Sequence, residues 1–252
     1  MGPRDILEEI SEGKITVEEA EARLTGYVTT DAGRFDAARE RRRGLPEAVF
    51  APGKTTAEIV ALVEASLETT GRAIVTRVDQ TAVTAVRESI DADLAYDERS
   101  SVLVVHAPDF EPPVLDARVG IVTGGTADAV PAGEAAAIVR ETGATVERIE
   151  DVGVANLTRI VDQLPVLREQ DVLIVVAGRE GALPTVVAGL VDVPVIGLPA
   201  SSGYGHAGDG EAALSGMLQS CTVLSVVNID AGFVAGAQAG LIARAIAAAR
   251  GD

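Results

Sequence analysis

The sequence predicts an α/β protein: a doubly wound parallel sheet in the C-terminal part, preceded by a smaller α/β domain and a helical hairpin. Two observations predict the sheet. Five apolar, strand-like runs recur between residues 118 and 230, with helix-like runs between them. Four of the five are nearly continuously apolar, as parallel strands buried on both faces are. A third observation sets the domains. The stretch Ala107-Pro-Asp-Phe-Glu-Pro-Pro-Val114 is rich in prolines, which cannot donate to a ladder and favour extended spacers. The expected domains are therefore residues 1–117 and 118–252.

Taken in order, residues 5–12 form an amphipathic helix that stops at Gly13. Thr16-Val-Glu-Glu19 is a capping box that opens a second helix, completing the hairpin. Residues 25–45 are polar and hold the basic run Arg39-Glu-Arg-Arg-Arg43, which reads as a solvated linker. A short strand at 48–50, a turn at Pro52-Gly53-Lys54 and a second capping box at Thr55-Thr-Ala-Glu58 follow. The helix this box opens runs to Gly71, a C-terminal stop. A strand at 73–77, a helix near 81–90 and a strand at 101–106 complete the smaller domain. Beyond the linker the expected strands are 118–122, 145–149, 172–177, 195–198 and 225–230, and an Ala-rich helix spans 233–249.

Composition narrows the function. Hydrophobic residues make up 47% of 252, enough for a sizeable core. The net charge of -17 repels phosphate backbones, so no nucleic-acid partner is expected, although a local glycine-lined pocket can still hold one anionic ligand. No run of about 18 apolar residues is present, so no membrane span is expected. The N-terminus has no apolar signal core, and the single cysteine cannot form an intramolecular disulfide; both fit a reducing cytoplasm.

The chemistry-bearing residues fall beside the expected strands. Cys221 sits at a helix–strand junction, and an ionised thiol adds to electron-poor carbon; a free cysteine is equally a small buried hydrophobe. Thr123-Gly-Gly-Thr-Ala-Asp128 follows the first sheet strand. There Gly124, Gly125 and Thr126 can bring backbone N–H groups to a phosphate, and Asp128 can accept from ribose hydroxyls. The same text also fits an ordinary tight turn. After the third strand, Gly178 and Gly181 bracket Arg179, a partner for carboxylate or phosphate, and Glu180, a proton carrier. Ser202, Gly203, Tyr204 and Gly205 form a loop able to wrap a ligand. Asp230 reads as the start cap of the final helix. The two histidines, His106 and His206, are not spaced as metal ligands.

Three of these blocks resemble the aminoimidazole ribonucleotide (AIR) carboxylase superfamily. They are Thr123-Gly-Gly-Thr-Ala-Asp-Ala-Val-Pro-Ala-Gly-Glu-Ala135, Val176-Ala-Gly-Arg-Glu-Gly-Ala-Leu-Pro184 and Pro194-Val-Ile-Gly-Leu-Pro199. Other blocks resemble one branch, the LarB family of nickel-pincer cofactor biosynthesis. These include Asp36-x-x-Arg39-x-x-Arg42-x-Gly44-x-Pro46-Glu47, Gly53-Lys54-Thr55 and Asp151-Val-Gly-Val-Ala155. Gly181-Ala-Leu-Pro-Thr-Val-Val-Ala-Gly-Leu190, Ser202-Gly-Tyr-Gly205, Gly216-Met-Leu-Gln-Ser-Cys221 and Val227-Asn-Ile-Asp-Ala-Gly-Phe233 complete the set. The resemblance spans nearly the whole chain and departs from the family at Ala38, Ala127, Thr158 and His206.

The resemblance implies a flavodoxin-like core and a pyridinium-3,5-biscarboxylic acid mononucleotide synthase. Such an enzyme carboxylates C5 of nicotinic acid adenine dinucleotide, using carbon dioxide or bicarbonate, and hydrolyses the phosphoanhydride to release AMP. Cys221 matches the family's nucleophile and Glu180 its acidic residue. Arg39, Arg42 and Lys54 can bind phosphates or carboxylates from the smaller domain. No organic cofactor is implied; magnesium is the one metal the reading admits. The superfamily implies a homo-oligomer, an octamer. The rival readings are a purine-type AIR carboxylase or mutase, and a non-catalytic nucleotide-binding protein.

Overall fold

The computed structural model describes residues 3–17, 20, 24–30 and 32–251. The chain divides into two compact units, Met1–Glu111 and Pro112–Asp252, with the division inside the proline-rich stretch. In the smaller unit α1 spans Pro3–Ser11. The second hairpin helix expected from Thr16 onward falls largely on residues outside the described set.

Residues 25–45 are not a linker. They form the antiparallel pair β1 (Val28–Thr30) and β2 (Gly33–Phe35), then the short helix α2 (Arg39–Arg43). Phe35 is buried in the unit's core, and Gly44 closes α2 at a φ of 72°. Intramolecular acids absorb the charge run: Arg39 pairs with Glu47, Arg42 with Asp36, and Glu40 with the buried Arg72. That is why a segment that reads as solvated folds.

β3 (Val49–Phe50), β4 (Arg72–Thr76), β5 (Asp93–Asp97) and β6 (Val102–His106) make a sheet in the order β3-β4-β6-β5. β3 and β4 run parallel and the other pairs antiparallel. α3 (Thr56–Thr70) and α4 (Gln80–Ser89) pack on it. The Thr55 capping box forms as the sequence predicts, with the Thr55 N–H donating to the Glu58 carboxylate at 2.7 Å. β5 was not expected: Leu94 and Tyr96 turn inward, but aspartates at both ends hide the alternation.

In the larger unit β7 (Arg118–Thr123), β8 (Thr145–Ile149), β9 (Val172–Ala177), β10 (Val195–Pro199) and β11 (Ser225–Val226) form one parallel sheet ordered β11-β10-β9-β7-β8. β9 shows why the runs are apolar throughout. Val172, Ile174 and Val176 face one core with α5 (Ala129–Glu141) and α10 (Gly232–Arg250). Leu173, Val175 and Ala177 face the opposite core. There they meet α6 (Leu157–Val161), α7 (Leu164–Arg168), α8 (Ala182–Ala188) and α9 (Glu211–Leu218).

α10 is long and apolar enough by length and composition to cross a membrane, but here it lies on α5, with Ala235, Ala239, Ala243 and Ala247 buried. β11 stops at Val226, short of the expected residue 230. Asp230, at a φ of 53°, accepts from the Ser201 N–H at 2.9 Å. The N-cap of α10 is Ala231, with no side-chain bond, so Asp230 is not that helix's start cap.

Candidate active site

Chain order and sheet order reverse around β7, whose neighbours are β8 and β9. In open α/β sheets ligands bind at the carboxyl ends of strands flanking such a reversal. A cleft of about 480 Å³ lies there. Its wall takes Gly124, Gly125 and Asp128 from the loop after β7, Gly178, Arg179 and Glu180 from the loop after β9, and Ser202 and Tyr204 from the loop after β10. These eight are expected site residues that the fold brings together. Three further wall residues, Gly153, Val154 and Ala155, follow β8 and were not expected. Their sequence signal is the family-like block Asp151-Val-Gly-Val-Ala155 at a strand's carboxyl end, which by itself assigns them no role.

Asp128 ties the loops together. One carboxylate oxygen accepts from the Ser202 hydroxyl at 2.7 Å, the other from the Gly125 N–H at 2.9 Å. Burial pushes its pKa up; hydrogen bonds from Ser202 and from the N–H groups of Gly125, Gly124 and Gly178 pull it back without cancelling the rise. Close backbone approach completes the join. A Cβ at Gly178 would lie 2.6 Å from the Ser202 hydroxyl oxygen, and one at Gly203 would lie 2.6 Å from the Arg179 nitrogen.

Arg179 holds a φ of 52°, rare for a side-chain-bearing residue, and its guanidinium lies 4.3 Å from the Tyr204 ring centroid. This turn leaves Glu180 exposed on the cleft wall, one residue before Gly181, the N-cap of α8. Thr126 and Gly205 are exposed and stand outside the lining.

Cys221 is exposed and also outside the lining. It follows α9 and precedes β11, and so belongs to the amino end of a strand. Ser220 and Thr222 bond across it, hydroxyl to hydroxyl at 2.7 Å, which makes it the tip of a tight turn. The Thr222 methyl lies 4.0 Å from where a Cβ at Gly189 would sit. Gly189 closes α8, and Glu180 lies just before that helix begins. At 1.5 Å per residue the helix separates its two ends by about 10 Å. The exposed His206 precedes α9 and Cys221 follows it, so that helix stands between them.

Arg39, Arg42 and Lys54 belong to the smaller unit. Arg42 makes a bidentate pair with Asp36 at 2.6 and 3.0 Å, Arg39 meets Glu47 at 3.0 Å, and the Lys54 ammonium donates to the Phe50 carbonyl at 2.8 Å. Among the described residues no group of three or more His, Cys, Asp or Glu side chains is placed to hold a metal ion.

A glycine-floored cleft at the switch point of a flavodoxin-type sheet, in a chain that also carries a smaller α/β unit, defines an AIR carboxylase-like protein. Residues 118–252 match the AIR carboxylase family, and residues 27–107 match the LarB/PurE-like N-terminal domain. The chain belongs to the AIR carboxylase superfamily as a LarB-like member, and its larger unit is a carboxylase-type domain. It is 35% identical over 253 residues to an uncharacterised protein of Methanocaldococcus jannaschii, covering 96% of each. Among solved structures it is similar to PurE of Treponema denticola, with 17% identity over 51% of this chain and 92% of that one, at a TM-score of 0.39. A singly substituted form of PurE2 from the same organism gives 19% identity over 54% and 93%, at 0.38.

Proposed function

We propose that the protein is a pyridinium-3,5-biscarboxylic acid mononucleotide synthase acting in the cytoplasm on nicotinic acid adenine dinucleotide. The observation that carries this reading is Glu180, held by the Arg179 turn on the wall of a glycine-floored cleft. The Cys221 thiolate adds to C4 of the pyridinium ring, which removes aromaticity and makes C5 an enamine carbon. C5 attacks carbon dioxide, forming the new carbon–carbon bond. Glu180 takes the C5 proton, the C4–S bond breaks, and the ring regains aromaticity with the thiolate released. Water then splits the phosphoanhydride, giving AMP and the biscarboxylate mononucleotide. Gly124 and Gly125 hold phosphate or ribose.

This chemistry needs Cys221 beside Glu180, and within one chain Cys221 lies outside the lining of the cleft that holds Glu180. The reading therefore takes the thiol from a second copy of the chain. The Cys221 turn is suited to docking: Leu218 is 65% and Val223 95% exposed on either side of it. The test of the activity is incubation with the dinucleotide, bicarbonate and magnesium. AMP and a mononucleotide heavier by one carboxylate are expected by mass spectrometry. Carboxylation of aminoimidazole ribonucleotide instead moves the assignment to the purine-type rival, and binding without turnover moves it to the non-catalytic one.

A further inference from the structure

The smaller unit repeats the device found at the cleft. Arg77 directly follows β4, at a φ of 56°, and its guanidinium lies 5.2 Å from the ring centroid of Phe50. Arg179 does the same after β9, over Tyr204. In both places the arginine lies just before a helix N-cap, Asp79 in one and Gly181 in the other. In both the aromatic ring stays open to solvent, 47% exposed for Phe50 and 77% for Tyr204. Phe50 and Thr76 are register partners that end the parallel strands β3 and β4, so the pair stands at carboxyl ends of parallel strands.

A second cation joins this pair. The Lys54 ammonium sits on the Phe50 carbonyl at 2.8 Å. Two nearby acids in the sequence serve as helix caps: Glu58 accepts from Thr55 and Asp79 from the Ala82 N–H at 2.8 Å. Space above the turn is open, since a Cβ at Gly53 would meet nothing within 4 Å.

We propose that Phe50, Lys54 and Arg77 form a second nucleotide site, one that takes a purine nucleoside monophosphate. The base stacks on the Phe50 ring and the phosphate meets the two cations. An exposed aromatic beside paired cations is the minimum platform for a base carrying a phosphate. The choice of the adenine nucleotide rests on the reaction proposed above, because AMP is its released product; the site itself does not.

The test is photolabelling of the full chain with 8-azido-AMP, followed by peptide mapping. Label is expected on residues 44–54, displaced by AMP and much less by adenosine. Phe50→Leu keeps apolar bulk without the ring and should cut that label roughly fivefold or more. Lys54→Gln should weaken displacement by AMP and leave displacement by adenosine unchanged. Label confined to residues 124–128 and 178–204, absence of label, or a Phe50→Leu protein labelled like the parent overturns the proposal. Label on residues 44–54 in a protein that carboxylates nothing leaves this site standing and removes the reaction.

Discussion

Taking the nucleophile from a second copy has a numerical consequence. Cys221→Ser and Glu180→Gln each remove one reacting group, and each pure variant should fall to on the order of a hundredth of parent activity or less. In one chain Cys221 stands outside the lining of the cleft that carries Glu180. When the two variants are co-expressed in equal amounts, half of the chains supply an intact Glu180 and half an intact Cys221. A site assembled from two copies then holds both groups in about one case in four under random pairing. The mixture should recover roughly a quarter of parent turnover, read as AMP release. A site built within one chain recovers nothing, because every chain lacks one group. A mixture as inactive as its parts, with each variant folded and assembled, refutes the shared site. An active Cys221→Ser protein refutes the covalent step.

Other outcomes follow from the cleft. Glu180→Gln alone should still bind the dinucleotide, as calorimetry would show, because the change removes a proton acceptor and leaves the backbone floor intact. Ser202→Ala leaves a buried Asp128 oxygen short of a donor and should cost about 1–3 kcal/mol in denaturant unfolding, with a raised KM. Gly178→Ala drives a Cβ toward Ser202 and should destabilise by about 1–3 kcal/mol and open the cleft; parent-like stability and KM would contradict the close approach. Asp128 titrates above its ordinary 3.8 when folded, so the native state binds more protons than the unfolded chain between that value and the raised one. Its contribution to stability therefore falls as pH rises through that window. The difference in melting temperature between the parent and Asp128→Asn should vary across the same window, and a pH-independent difference contradicts the raised value.

The sequence showed the sheet well because its strands are buried on both faces, and continuous apolar runs such as residues 172–177 have no other simple use. It misled where charge outweighed pattern. Residues 25–45 looked solvated because their acids and bases are spaced irregularly, yet Arg42 and Asp36, six apart, meet in the fold. The strand at Asp93–Asp97 was hidden for the same reason. In the site, the loops after β7, β9 and β10 announced themselves through glycine. The loop after β8, Asp151-Val-Gly-Val-Ala155, resembled the family without pointing to a ligand, because its place on the wall comes from strand order. The position of Cys221 was equally illegible. A helix–strand junction names an edge of the sheet but not which edge, and a residue entering a strand lies opposite one leaving it.

The floor of the cleft is built of main chain. Gly153 lies against the Gly124 carbonyl, Gly178 against Ser202, and Gly203 against the Arg179 nitrogen, each so closely that a methyl group would collide. A floor of this kind has almost no adjustable parts. A combinatorial library aimed at new substrates should therefore lose most members mutated at these glycines, whatever residue replaces them. Productive diversity is confined to the side-chain-bearing wall, at Val154, Ala155, Ala182 and Tyr204, where the shape of an accepted ring can change without unseating the strands beneath it.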